Sequence, residues 1–338
     1  MIKIGIVGCG SIAIKRHIPE FNANPKCQIA GYLNPSKERC YELAKQYGGT
    51  VFQSLEELLA DSSIDAVCIC APNKFHAEMA IQALKAGKHV LCEKPIATSI
   101  LEAESMVGAF KNSKYCLMIA HDMKYSPFNQ KAKEIIQSGR MGTVLSFSTS
   151  FGHGGPENWS VDKSLNSWFF RKDAGINGVL GDLGIHKVHL ISWLLDEKIS
   201  EVSAFSETRD KRKCNGEQIS VDDNCVCIMK TESGIIGTMT ASWTYYDELD
   251  MSTIIHCSNG SIHIYEDEKN PLYVKMNNGE MQCFEDVDSN NSGVADAFIR
   301  NIESNYSPEI ETCEGYNALK VIEACVQSIK QSKVIKIV

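Results

Sequence analysis

No apolar run in the 338 residues approaches the roughly 20 needed to cross a bilayer, which excludes a helical membrane protein. Fourteen cysteines are present, but no two form a C-x-x-C pair, so the commonest zinc and dithiol signatures are missing. Cys68/Cys70 and Cys225/Cys227 each stand one residue apart inside apolar stretches. Each pair is expected on one face of a strand, as small buried apolar side chains. Reduced thiols in a cytoplasmic protein are the reading adopted here. Basic residues form no block and the formal net charge is −8, which excludes nucleic acid or an anionic membrane as the main partner. Low-complexity tracts and repeats of 20–50 residues are also missing. The apolar pattern starts at residue 2 and leaves no room for a signal peptide, so a cytoplasmic location is expected.

What is present is globular. With 43% hydrophobic and 22% charged residues, the chain can build cores, and its length predicts two of them. It opens with an apolar strand (Ile2, Ile4, Ile6, Val7) that stops at Gly8-Cys9-Gly10-Ser11-Ile12-Ala13. This is the G-x-G-x-x-(G/A) pattern of a dinucleotide-binding turn. Gly8 permits the tight turn, Gly10 lets backbone approach a pyrophosphate, and Ala13 is small enough for the helix to pack on the strand. Ser11, Ile12 and Ala13 begin that helix (about 11–23), whose free N–H groups and dipole attract phosphate.

Strand two (28–33) ends without the acidic residue that commonly binds the adenosine ribose. Asn34 is the candidate for the ribose, and Ser36, Lys37 and Arg39 for a 2′-phosphate, which tilts the cofactor towards NADP. The alternative is that Ser36 caps a helix over 36–47 and the basic residues form its solvated face. Strand 65–70 ends in Ala71-Pro72-Asn73, with His76 close behind, and these four are placed in the cofactor wall. Strand 88–92 ends in Glu93-Lys94-Pro95, and capping boxes open helices at Ser54 and Ser99. A strand over 115–120 completes a β-α alternation, read as six strands, that makes a doubly wound α/β domain over residues 1–121.

Residues 122–338 change grammar. A helix over 126–138 is followed by strand candidates at 143–151, 201–208, 224–230, 235–242, 252–257, 261–265, 272–276 and 281–284, read as an antiparallel meander. Helices near 184–195, 292–304 and 313–331 should cover one face of this α+β domain's large open sheet. The other face is expected to meet a partner subunit in a homodimer or homotetramer.

Glu93-Lys94-Pro95 and Asp182-Leu183-Gly184-Ile185-His186 stand in order, about 90 residues apart, downstream of the nucleotide fingerprint. With them the sequence resembles the glucose–fructose oxidoreductase, inositol dehydrogenase and rhizopine catabolism (Gfo/Idh/MocA) family over nearly its whole length. The resemblance implies NAD(P)-dependent hydride transfer on a sugar, sugar derivative or cyclitol. It implies that Glu93 and Lys94 border the cofactor, that Lys94 hydrogen-bonds the reacting oxygen, and that Asp182 orients substrate and histidine. His186 would be the proton acceptor in oxidation, or donor in reduction. The residue types suit these roles: histidine titrates near working pH, and a lysine stabilises negative charge developing on oxygen.

Residues 121–127 resemble the family's segment facing nicotinamide and substrate, which makes Lys124 and Tyr125 substrate candidates, although the family often has Asn-Arg near Asp122 and Met123. Trp168 and Arg171, with Trp159, lie in a loop over 151–175 that could close over a sugar; ordinary tryptophan packing is the alternative. Gly175-Ile176-Asn177-Gly178 departs from the family's usual glycine run. A metal at Asp182, His186 and His189 has helical ligand spacing but no fourth ligand of comparable quality, so no metal is assigned. Two other activities fit the same motifs: elimination or hydrolysis on a sugar with a tightly held, recycled nucleotide, or nucleotide-dependent regulation without catalysis.

Overall fold

The structure, a computed structural model, describes residues 1–161, 163–175, 178–284, 291–304 and 309–337. The chain divides into two compact units, Met1–Asp122 with Asn291–Tyr316, and Met123–Asn290 with Asn317–Val338.

The first unit contains strands β1 (Ile2–Val7), β2 (Cys27–Leu33), β3 (Thr50–Val51), β4 (Ala66–Ile69), β5 (His89–Cys92) and β6 (Leu117–Ile119). They form one parallel sheet in the order β3-β2-β1-β4-β5-β6. Helices α1 (Ile18–Ala23), α2 (Lys37–Tyr47), α3 (Leu55–Ala60), α4 (His76–Lys85) and α5 (Ile100–Lys111) connect the strands. Ile4, Ile6, Val67 and Ile69 are fully buried, as a parallel sheet covered on both faces requires. Ser36, Ser54 and Ser99 each accept the backbone N–H of the residue three positions on, starting α2, α3 and α5. The strand order reverses between β1 and β4, the switch point where such sheets hold ligands.

The second unit begins with α6 (Pro127–Gln137), β7 (Val144–Gly152), the short α7 (Pro156–Trp159) and α8 (Ile185–Leu195). Seven strands follow: β8 (Ile199–Glu207), β9 (Asn224–Thr231), β10 (Ile236–Ser242), β11 (Thr253–Cys257), β12 (Gly260–Ile264), β13 (Leu272–Met276) and β14 (Met281–Phe284). The order of this mostly antiparallel sheet is β14-β13-β12-β11-β7-β10-β9-β8-β15, with β15 at Ile335–Lys336. It is not the expected simple meander. β7 pairs parallel with β10 along its length, which the long connection through α8 permits, since parallel neighbours need a crossover.

α9 (Val294–Glu303) corrects the reading that placed all of 122–338 in the second domain. It belongs to the first unit, where Phe298 meets Phe21 edge to face at 6.5 Å and Asp296 accepts a hydrogen bond from Asn24. Periodicity shows an apolar stripe but not which core takes it. The unit boundary falls inside α10 (Glu309–Gln331). In the second unit α10 lies on the sheet, with Ser328 Oγ accepting the N–H of Ala204 and Cys325 Sγ 3.4 Å from that of Cys227.

Burial alternates along β9: Cys225, Cys227 and Met229 face the core, while Val226 and Ile228 are exposed. Phe205 and Ile236 are also exposed, on the strands flanking β9, so the open side of this sheet has an apolar patch.

If α9 completes the first unit's core, Phe298→Ala should lower unfolding stability by about 3–5 kcal/mol in urea titration. A loss under about 1 kcal/mol would show that this side chain is not packed as the structure describes.

Candidate active site

In the first unit, β1 ends where Gly8 takes φ +93°. A Cβ on Gly8 would lie 2.7 Å from backbone atoms of Cys70 and Ala71, so glycine is required by both conformation and space. Beyond Gly10 the situation is opposite: a Cβ built there meets nothing within 4 Å. That open space, facing first-turn N–H groups without intrahelical acceptors, fits a pyrophosphate. The helix expected over 11–23 is not uniform. Ala13–His17 is a π-helical turn and α1 proper starts at Ile18. Ala13 is fully buried and Ser11 nearly so, and Ile12 lies between them at the head of the turn.

The candidates at the end of β2 brace this turn. Asn34 Oδ1 accepts the N–H of Cys9 at 3.0 Å, and the Arg39 guanidinium donates to the Cys9 carbonyl at 3.3 Å. Ser36 is the N-cap of α2, while Lys37 Nζ donates to the carbonyls of Phe52 and Gln53. The capping alternative for Ser36 is therefore realised.

Ala71 and Pro72 are half-buried, and Asn73 is buried in a single 3-10 turn. His76 is completely buried, with Nδ1 2.7 Å from the Pro95 carbonyl and Nε2 2.8 Å from that of Ala71. Burial lowers its pKa. His76 thus ties the Glu93–Pro95 turn to the β4 loop through both ring nitrogens. Glu93 is also buried; one oxygen meets His17 Nε2 at 2.7 Å and the other accepts the Lys94 N–H. Lys94 follows in a cis Lys94–Pro95 turn and is partly exposed. Asp122 pairs with Arg16 at 2.9 Å.

In the second unit, Asp182 and His186 stand on either side of the junction between a π-helical turn (Leu180–Gly184) and α8. Such turns change helical phase and recur at functional sites. Asp182 is 7% exposed and accepts the Trp243 indole N–H at 3.3 Å. His186 is 9% exposed, with Phe151 edge-on at 5.6 Å. The turn is anchored by Asp222, which accepts the N–H of Leu180 through its carboxylate and that of Val179 through its carbonyl. Burial pushes the Asp222 carboxyl up to about 7, with the charge of Asp223 adding to the effect and the Leu180 N–H opposing it. Gly178, at φ +51°, passes so close to Asp222 that a Cβ would lie 2.2 Å from its carbonyl oxygen.

Lys187 is buried beside His186 and donates to the Met251 carbonyl at 2.6 Å and to Thr253 Oγ1 at 3.2 Å. Burial pushes its pKa down to about 7, against the charge of Asp250. Trp243, Asp222 and Lys187 carry no local motif, so pairings across the fold alone reveal them.

Among the other substrate candidates, Lys124 is buried with Nζ 5.3 Å from the Tyr125 ring centre. Trp168 stacks on Phe169 at 3.9 Å, and Trp159 meets the same ring at 6.1 Å. Arg171 is exposed and paired with Asp173 at 2.6 Å. In the Gly175–Gly178 stretch, Ile176 and Asn177 lie outside the described residues.

Residues 2–121 match the model of an oxidoreductase family with an NAD-binding Rossmann fold, and residues 129–263 match the Gfo/Idh/MocA C-terminal domain. The chain is similar to levoglucosan dehydrogenase of Pseudarthrobacter phenanthrenivorans, at 28% identity over 81% of this chain and 76% of that protein. It is also similar to glucose-6-phosphate 3-dehydrogenase of Bacillus subtilis, at 31% identity over 66% and 62% respectively. The fold matches a levoglucosan dehydrogenase solved with NADH and levoglucosan, with TM-score 0.88, 23% identity and 99% of both chains covered. An oxidoreductase domain protein from Kribbella flavida matches with TM-score 0.90 at 22% identity, over 100% of this chain and 99% of that one. Fold, fingerprint and relatives define an NAD(P)-dependent oxidoreductase. Within that class, the chain belongs to the Gfo/Idh/MocA family.

The Asp222 carboxyl keeps its proton to about 7 in the fold against an ordinary 3.8. The native chain then binds more protons than the unfolded chain between these values, and this contribution to stability falls as pH rises across that window. Asp222→Asn should flatten the pH dependence of melting temperature there; an unchanged slope would contradict the assignment.

Proposed function

We propose that this oxidoreductase acts on a secondary hydroxyl, or the matching keto carbon, of a sugar or cyclitol, with NADP favoured over NAD. The observation that carries the reading is the buried Asp182–His186 pair on the junction heading α8. When bound, the nicotinamide supplies or accepts the hydride. The protein's own groups then handle charge and protons. His186 takes the hydroxyl proton in oxidation and returns it in reduction. Asp182, held by the Trp243 indole, orients the substrate and the imidazole. Lys94 donates a hydrogen bond to the reacting oxygen as negative charge develops there. Support for sugars comes from the relatives, whose names specify levoglucosan and glucose 6-phosphate.

Gly8, Gly10, Ser11, Ile12 and Ala13 would hold the pyrophosphate, with Asn34 shaping their turn. Arg39 supplies a cation where the strand end lacks an acidic residue, the arrangement that favours a 2′-phosphate. Ala71, Pro72 and Asn73 would line the cofactor wall. Tyr125, Lys124 and Trp168 remain proposed substrate contacts, and Arg171 reaches a substrate only by leaving Asp173.

We further propose a homodimer or homotetramer through the open sheet face, where Phe205 is 77% exposed and Val226, Ile228 and Ile236 are each at least half exposed. Among the described residues no helix is long and apolar enough to cross a membrane. Fourteen cysteines, none in a disulfide among the described residues, suit the reducing cytoplasm.

Fluorescence titration should show tighter binding of NADPH than NADH, and Arg39→Ala should remove most of that difference; equal affinity in the parent chain would end the NADP assignment. His186→Ala should lower kcat by about 10²–10⁴-fold while leaving nucleotide affinity unchanged. A double change Val226→Asp, Ile228→Asp should shift the sedimentation coefficient to that of a monomer, and an unchanged oligomer would refute the sheet interface.

A further inference from the structure

Behind the nucleotide-binding turn, a cluster of side chains is left unexplained by hydride transfer. Cys68 and Cys70 bracket the carboxyl end of β4 on one face, with their Sγ atoms 3.6 Å apart. A ring nitrogen of His17, from the last position of the π-helical turn, lies within 4.8 Å of both sulfurs. All three residues are buried, His17 completely. The imidazole is fixed by Glu93, which takes Nε2. Its Nδ1 is buried and has no hydrogen-bond partner. An imidazole held by a carboxylate on one nitrogen and left unpartnered on the other is the common second-shell arrangement of metal-binding histidines.

We propose that His17, through the ring nitrogen that Glu93 leaves unpartnered, supplies with Cys68 Sγ and Cys70 Sγ three ligands to a thiophilic divalent cation of the zinc class, with water in the fourth position. Two thiolates on a tetrahedral zinc, at about 2.3 Å each, stand about 3.8 Å apart, close to the separation already present. Charge balance selects a divalent ion. Two thiols each release a proton to solvent and bind as thiolates, the imidazole stays neutral, and the ion with its three protein ligands carries no net charge. A monovalent ion would leave a buried negative charge, which a dry interior disfavours. The C-x-C spacing is not a common zinc signature, and the third ligand lies 51 residues before Cys68. Strand pairing and the π-helical turn bring the three together.

The site would staple the segments that shape the nucleotide pocket. His17 closes the turn that begins at Ala13, Cys70 abuts Gly8 through its backbone, and Glu93 precedes Lys94. Zinc should therefore raise the melting temperature of the full chain without any substrate present.

The test uses the full-length reduced protein, stripped with a chelator and then titrated with Zn²⁺ or Co²⁺. One equivalent of Zn²⁺ should survive gel filtration and raise the melting temperature. Co²⁺ should give a thiolate-to-cobalt charge-transfer band in the near ultraviolet. Both should vanish in Cys68→Ala/Cys70→Ala, and His17→Gln should weaken retention at least tenfold. Cys214→Ser/Cys283→Ser, which removes two exposed thiols, should leave both signals unchanged. Failure of the folded parent chain to retain zinc or develop the band would overturn the proposal, whatever the stability of the variants. Persistence of the band in the Cys68/Cys70 double variant would also overturn it.

Discussion

The close passage of Gly8 over the end of β4 is the constraint on which the nucleotide-binding unit depends. With Cys70 and Ala71 backbone 2.7 Å from where a Cβ would sit, no residue but glycine can follow β1 without moving the end of β4. The turn then points Gly10 into open space and starts the following helix where its N–H groups face outward. Other groups hold this geometry from behind. Asn34 accepts the N–H of Cys9 and Arg39 donates to its carbonyl, His76 bridges two carbonyls, and Glu93 fixes His17. Asn34, Arg39, His76 and Glu93 thus hold the turn and its neighbours through their own hydrogen bonds.

The second unit solves a different problem, the placement of a carboxylate and an imidazole in a largely apolar setting. An isolated buried carboxylate is costly, and Asp182 is given an indole N–H. The helix that carries it is fixed at its start by Asp222 and Gly178. Next to His186, Lys187 is tied to the segment leading into β11, which limits rotation of α8 about its axis. The π-helical turn places Asp182 and His186 at a change of helical phase, so their relation is set by packing as much as by their spacing of four.

Much of this was legible in the sequence because the signals are local. The fingerprint, the Glu93–Pro95 turn, the Asp182–His186 signature and the serine caps each occupy a few consecutive residues, and apolar runs marked five of the six strands of the parallel sheet; the two-residue β3 (Thr50–Val51) carries no such run. Long-range pairing was not legible. Nothing near Trp243 signals that its indole reaches Asp182, and nothing near Asp222 signals that it holds Leu180. The parallel β7–β10 pairing and the return of α9 to the first unit depend on which apolar surfaces meet, which one-dimensional periodicity does not encode. The two carbonyl partners of His76 were hidden for the same reason, lying five and nineteen residues away.

Catalytic hydride exchange with a sugar or cyclitol is read most simply as turnover. Purified protein would be mixed with oxidised nicotinamide nucleotide and a panel of sugars and cyclitols, following the appearance of reduced nucleotide. The account predicts that at least one compound gives many equivalents of reduced nucleotide per active site, and that His186→Ala abolishes most of the rate. A nucleotide that stays bound and never accumulates in reduced form, while a sugar is nonetheless eliminated or hydrolysed, would contradict it.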